Sequence, residues 1–159
     1  MELTNEQMEF IRCALDGYNI LVDACVGSGK TTAIQNLCIE FPNDKKILYL
    51  TYNKLLKLDA KEKIKGKNVT VTNYHGYAYL CLKRAGINAG ISDLIQVFNM
   101  KKPEITKYDL LVLDEYQDID QEIADMLIYI KQKNPYLQIV AVGDMKQKIY
   151  DKTTLNIQE

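Results

Sequence analysis

The stretch DACVGSGKTT, residues 23–32, follows the apolar run NILV at 19–22 and leads into KTTAIQNLCIEF at 30–41. The first run, extended as NILVDA over 19–24, reads as a short buried strand and the second as a helix that stops before Pro42. The residues between them, 25–29, read as a strand-to-helix bend with almost no side chain beside Lys30. Gly27 and Gly29 let successive backbone N–H groups turn toward one point without a Cβ clash. The helix that follows directs its positive end to the same place. Those groups suit a phosphate: Lys30 would reach the β- and γ-phosphates, and Thr31 would hold magnesium. The general spacing GxxxxGK[ST] has glycine where this chain has Ala24. The plainer alternative is a Gly-Ser turn with a solvated lysine.

The rest of the chain repeats the alternation of strand and helix. Helices are expected over 4–17, 54–66, 74–86, 92–99 and 120–134, where apolar residues recur at helical spacing. Glycines stop two of them, after 16 and after 85. Strands are expected over 45–51, 69–72, 109–114 and 137–143. Strands separated by helices imply an α/β fold, a parallel β-sheet sandwiched by helices. In such sheets a ligand binds beyond the carboxyl ends of the strands.

Composition narrows the class. The 159 residues are 47% hydrophobic and 26% charged, ordinary for one globular domain with a real core. No apolar run approaches the roughly 18 residues that a membrane span requires. The polar, acidic start MELTNEQMEF is not a secretory signal, so a cytoplasmic or nucleoid-associated protein is expected, with no membrane partner. Four cysteines, none in a CxxC pair, and one histidine give no zinc pattern. A net charge of −1 does not announce a nucleic-acid binder, so any such contact is local or shared with a partner domain.

Two further stretches carry chemistry. LLVLDEYQD, 110–118, is an apolar strand ending in Asp114 and Glu115, and unpaired carboxylates there are costly core residues. Beside a phosphate loop, Asp114 can hold magnesium through water and Glu115 can orient or deprotonate an attacking water. Alone, the pair also fits a helix cap with an acidic first turn. VAVGDMKQKIY, 140–150, again runs a strand into polar residues, where Gln147 could bond a γ-phosphate. Lys57, Lys61 and Lys65 recur every fourth residue, but Asp59 and Glu62 dilute the stripe, and a solvated helix face explains it more simply.

Taken in order, these stretches resemble the first RecA-like domain of a superfamily 1 DNA helicase of the UvrD/Rep type, a P-loop NTPase core. That family tolerates alanine in AxxGSGKT, which ACVGSGKT matches. DEYQD matches its second motif, DE[FY]QD, and GDMKQKIY its third, GDxxQxIY. LTNEQ (3–7) resembles the adenine-reading Q motif, LTYNK (50–54) motif Ia, and NYHGYA (73–78) motif Ib, normally TFHGLA.

The resemblance implies ATP and Mg²⁺ as cofactors and ATP-driven movement along, and unwinding of, DNA. It implies nucleotide contacts from Gln7, Ala24, Gly27, Ser28, Gly29, Lys30, Thr31 and Thr32, and a metal held by Thr31 and Asp114. Glu115, Gln147 and Lys30 take the catalytic roles, and Gln117 couples nucleotide to the DNA-contacting elements. Tyr52, Asn53, Lys54, Tyr74, His75 and Tyr150 correspond to positions near single-stranded DNA, where aromatic rings stack on bases. Three features depart from the pattern. Only 79–109 separates motif Ib from motif II, so an insertion domain is absent or very small. Asn73 replaces the motif Ib threonine, and DKTTLN after QKIY lacks the usual aromatic and arginine. Residues 1–159 are thus expected to be a single RecA-like domain, a piece of a larger helicase. A second RecA-like domain, in cis or trans, would bring the arginine fingers that Arg12 and Arg84 are not placed to supply. The rival readings are a non-catalytic nucleotide-binding regulatory module and another P-loop enzyme such as a small-molecule kinase.

Overall fold

The computed structural model describes residues 5–23, 30–52 and 68–143. The chain begins with α1 (Asn5–Leu15), β1 (Ile20–Asp23), α2 (Lys30–Glu40) and β2 (Ile47–Leu50). It continues with β3 (Val69–Thr72), α3 (Tyr74–Arg84), a 3-10 turn (Ile91–Asp93) and α4 (Leu94–Lys101). The last elements are β4 (Leu110–Asp114), a second 3-10 turn (Tyr116–Asp118), α5 (Gln121–Lys133) and β5 (Gln138–Gly143). The helix expected over 54–66, with its lysines, lies outside the described residues.

The five strands among the described residues are parallel, in the order β1-β5-β4-β2-β3. Parallel strands cannot be joined by tight hairpins, and the described crossovers run through α2, through α3 and α4, and through α5. The strands are aliphatic on both faces, as a doubly covered sheet demands. Along β4, Leu111 and Leu113 enter the core under α3, α4 and α5, while Leu110 and Val112 enter the core under α1 and α2. This period of two runs across the sheet: Leu48 and Leu50 face one layer, Ile47 and Tyr49 the other. Each fully buried aliphatic side chain contributes about 1.5–3 kcal/mol relative to exposure.

Local signals explain the helix ends. Asp120 caps α5, its carboxylate accepting from Ile123 N–H at 2.9 Å. Asn73 caps α3 in the same way, its side-chain oxygen accepting from Gly76 N–H. Gly17 and Gly86, the expected stops, adopt φ of 95° and 73°, which side chains disfavour. The segment expected as a helix over 92–99 differs: it opens as a 3-10 turn, and its α-helix runs on to Lys101. Lys102, left-handed at φ 45° and followed by Pro103, ends it. No described helix is long and apolar enough to cross a membrane.

Candidate active site

Because every strand runs the same way, their carboxyl ends share one edge of the sheet. Asp23 ends β1 level with Gly143 of β5, and Asp114 ends β4 beside Val142. β5 alone separates β1 from β4, so two interstrand spacings, about 10 Å, lie between their ends. The bend 24–29 itself lies outside the described residues, but β1 delivers the chain to it and α2 receives it at Lys30.

Asp114 is fully buried at the end of β4. Its Oδ1 accepts from the N–H of Glu115 at 2.8 Å, and the Tyr49 hydroxyl stands 3.5 Å from Oδ2, a weak contact. Its main-chain carbonyl accepts from the Tyr74 hydroxyl at 2.8 Å. Glu115, half-buried, turns the chain with φ 55° and ψ 45°. A glutamate in this left-handed region is disfavoured by roughly 1–2 kcal/mol, so its surroundings must hold it there. The 3-10 turn Tyr116–Asp118 follows at once and includes the backbone of Gln117. Tyr52, just beyond β2, donates its hydroxyl to the Asp118 carbonyl at 2.9 Å. Its ring lies 4.7 Å from that of Tyr74, tilted by 45°.

Burial holds the Tyr49, Tyr52 and Tyr74 hydroxyls well above the ordinary phenol range, and nearby carboxylates add to the effect. These groups therefore stay protonated and act as donors. A buried carboxylate such as Asp114 is costly without compensation. Its donor chemistry, hard carboxylate oxygen at the carboxyl edge of the sheet, fits a divalent cation kept partly hydrated. Among the described residues no three histidine, cysteine or acidic side chains converge as a metal set.

The residues that sequence analysis singled out divide into groups. Asp114, Glu115, Tyr52 and Tyr74 come together at the ends of β4 and β2. Lys30, Thr31 and Thr32 open α2 at the same edge. Gln7 lies in the first turn of α1, half-buried, on the helix whose Ile11 and Ala14 pack with Ile34 and Leu37 of α2. His75 is exposed in the first turn of α3. Ala24, Gly27, Ser28, Gly29, Asn53, Lys54, Gln147 and Tyr150 lie outside the described residues.

Tyr74 requires a correction. Expected near a single strand, it is wholly buried, with its ring against Tyr52 and its hydroxyl on Asp114, and no face is left for a base. Asn73 is the cap of α3, which gives the replaced threonine position a structural use. Tyr49 escaped sequence analysis, although a lone hydroxyl in the aliphatic run ILYL was the available signal.

Comparison with known proteins agrees with this architecture. A family model described as an AAA domain matches residues 7–153. The F-box DNA helicase protein 1 of Schizosaccharomyces pombe is 40% identical over 78 residues, which cover 48% of this chain and 9% of that protein. The Pif1 helicase of Candida albicans superposes with a TM-score of 0.56 at 19% identity, over 90% of this chain and 32% of that one. Bacteroides Pif1, crystallised with ADP-AlF3 and single-stranded DNA, gives a TM-score of 0.53 at 21% identity, over 91% of this chain and 33% of that one. The chain thus spans about a third of these Pif1 chains and a far smaller part of the F-box protein. The fold is the RecA-like P-loop NTPase fold of the Pif1 helicases, and, with a match running through nearly its whole length, the chain belongs to the AAA domain family.

Proposed function

We propose that the chain is the ATP-binding motor domain of a superfamily 1 DNA helicase of the UvrD/Rep type, coupling ATP hydrolysis to movement on single-stranded DNA. One observation carries the reading: the strand that leads into the glycine-rich bend and the strand that ends in Asp114-Glu115 open on the same edge of the sheet, one strand apart. A triphosphate laid across β5 would meet backbone N–H groups on one side and carboxylates on the other. Helicase names among the relatives, and a Pif1 structure holding ADP-AlF3 and single-stranded DNA, support the same reading.

In this reading Gln7 pairs with the adenine edge. Ala24 to Gly29 wrap the phosphates, Lys30 neutralises the β- and γ-oxygens, and Thr31 and Asp114 hold Mg²⁺. Held by these two residues, the ion would supply positive charge that offsets the phosphates. Glu115 takes a proton from the attacking water or aligns it, and Gln147 contacts the γ-phosphate. Tyr52 and His75, with Asn53, Lys54 and Tyr150, face the single strand. A second RecA-like domain, in cis or trans, supplies the arginine fingers worth about 10³–10⁵ in rate.

The test is steady-state ATP hydrolysis by the full-length protein with and without single-stranded oligothymidylate, alongside fluorescent-nucleotide binding. Lys30→Ala should abolish Mg-ATP binding. Glu115→Gln should keep binding and stop turnover, and an unchanged hydrolysis rate would remove Glu115 from its role. The isolated 159 residues should bind Mg-ATP weakly and unwind nothing. Phosphate transfer to a small acceptor in place of water would turn the assignment to a kinase.

A further inference from the structure

We infer that Tyr74 is a positioning residue for hydrolysis, whose buried hydroxyl ties the outward face of Tyr52 and His75 to the peptide that aims Glu115; this rests on the motor reading above. The peptide between Asp114 and Glu115 is held at both ends. Its carbonyl accepts from the Tyr74 hydroxyl at 2.8 Å, and its N–H donates to Asp114 Oδ1 at 2.8 Å. That double anchorage sits immediately before the left-handed Glu115, whose φ of 55° persists only when neighbours over-determine it. With the peptide plane fixed, the direction in which the Glu115 side chain leaves the backbone is fixed too.

The other end of the device reaches solvent. Tyr74 is the first residue of α3, preceded by the cap residue Asn73 and followed by exposed His75. The half-buried Tyr52 ring covers the Tyr74 ring at 4.7 Å, and the Tyr52 hydroxyl holds the Asp118 carbonyl in the turn after Glu115. Two tyrosines from two different strand ends therefore clasp the segment 114–118 on either side of Glu115. A polymer pressing on Tyr52 or His75 is one residue removed from the Asp114 carbonyl. Position 74 carries a tyrosine where TFHGLA has phenylalanine, one of three differences in the motif, so the hydroxyl that makes the tie belongs to the present sequence. The hydroxyl, held protonated by burial, donates throughout the working pH range.

Tyr74→Phe keeps the ring and removes only the donor. In the full-length protein it should lower the ratio of kcat with oligothymidylate to kcat without it by about tenfold, the scale of one lost buried hydrogen bond. The KM for ATP should stay within about twofold, because the nucleotide-holding residues are untouched. Tyr52→Phe, which also spares the ring contact, should lower the ratio less. An unchanged ratio in Tyr74→Phe, whatever its melting temperature, overturns the inference and leaves the motor reading intact. A KM that rises while the ratio stays constant marks a purely structural hydroxyl and overturns it equally. A wild-type protein that hydrolyses ATP without any stimulation by oligothymidylate overturns both.

Discussion

Gly76→Ala sets a helix preference against a steric one, and the structure says which should win. Alanine is favoured over glycine inside a helix by about 1 kcal/mol. A Cβ at position 76, however, would stand 2.5 Å from Thr72 Oγ1 and 2.7 Å from Asn73 Oδ1, both closer than real contacts allow. Asn73 Oδ1 can retreat only by giving up its bond to Gly76 N–H, which forfeits a cap worth about 1 kcal/mol. Thr72 is β-branched and buried at the end of β3, so relieving the second contact costs about 1–3 kcal/mol as overpacking. The balance is a net loss of about 1–3 kcal/mol. For a chain of this size that lowers Tm by about 2–12 °C. Thermal and urea unfolding of the 159-residue chain, followed by far-ultraviolet circular dichroism, would measure it. Adding Asn73→Ala removes one of the two clashes, so the double variant should lose less than the two single losses combined. A Tm raised by Gly76→Ala would refute the reasoning, because it would mean that the cap and Thr72 move aside freely.

Further outcomes follow from burial. Leu111→Ala, in β4 and wholly enclosed, should cost about 2–5 kcal/mol in urea unfolding. Ile91→Ala, at 85% exposure, should stay within about 0.5 kcal/mol. Cys38, between α2 and the sheet, has its thiol pushed up by burial from 9.0 to about 12. The unfolded chain therefore loses this proton first, so the stability associated with it is present below pH 9.0 and lost progressively toward about 12. Unfolding free energies measured across that window should fall less steeply in Cys38→Ala than in the parent.

Strand and helix positions were largely legible from periodicity and breakers. VTVT at 69–72 is β3 residue for residue, and Gly17 and Gly86 end their helices as glycine stops do. The acidic end of β4 was legible for a similar reason, since charge after an aliphatic strand marks where the strand leaves the core. Other features depend on distant partners and left no local trace. The placement of β5 between β1 and β4 is a matter of pairing across the whole chain. The burial of Tyr74 follows from a bond to a residue 40 positions away, so a ring that looked available for stacking is spent inside. The left-handed turn at Glu115 is likewise invisible in DEYQD, because glutamate does not advertise positive φ.

The sheet order also governs how the molecule can be made. β1 bonds to β5, and Ile139 N–H donates to Asn19 across 120 residues of sequence. A ribosome releases β1 well before β5, with β1 unpaired by β5 in the interval. Val140 and Val142 belong to the apolar layer that also holds α1 and α2, so that layer too waits for the last strand. The acidic strand β4 can find β2 before β5 is made, while β1 gains its strand neighbour only when β5 slides in beside it. A nascent chain interrupted before residue 138 is consequently left with β1, and the layer that α1 and α2 share, short of their closing strand.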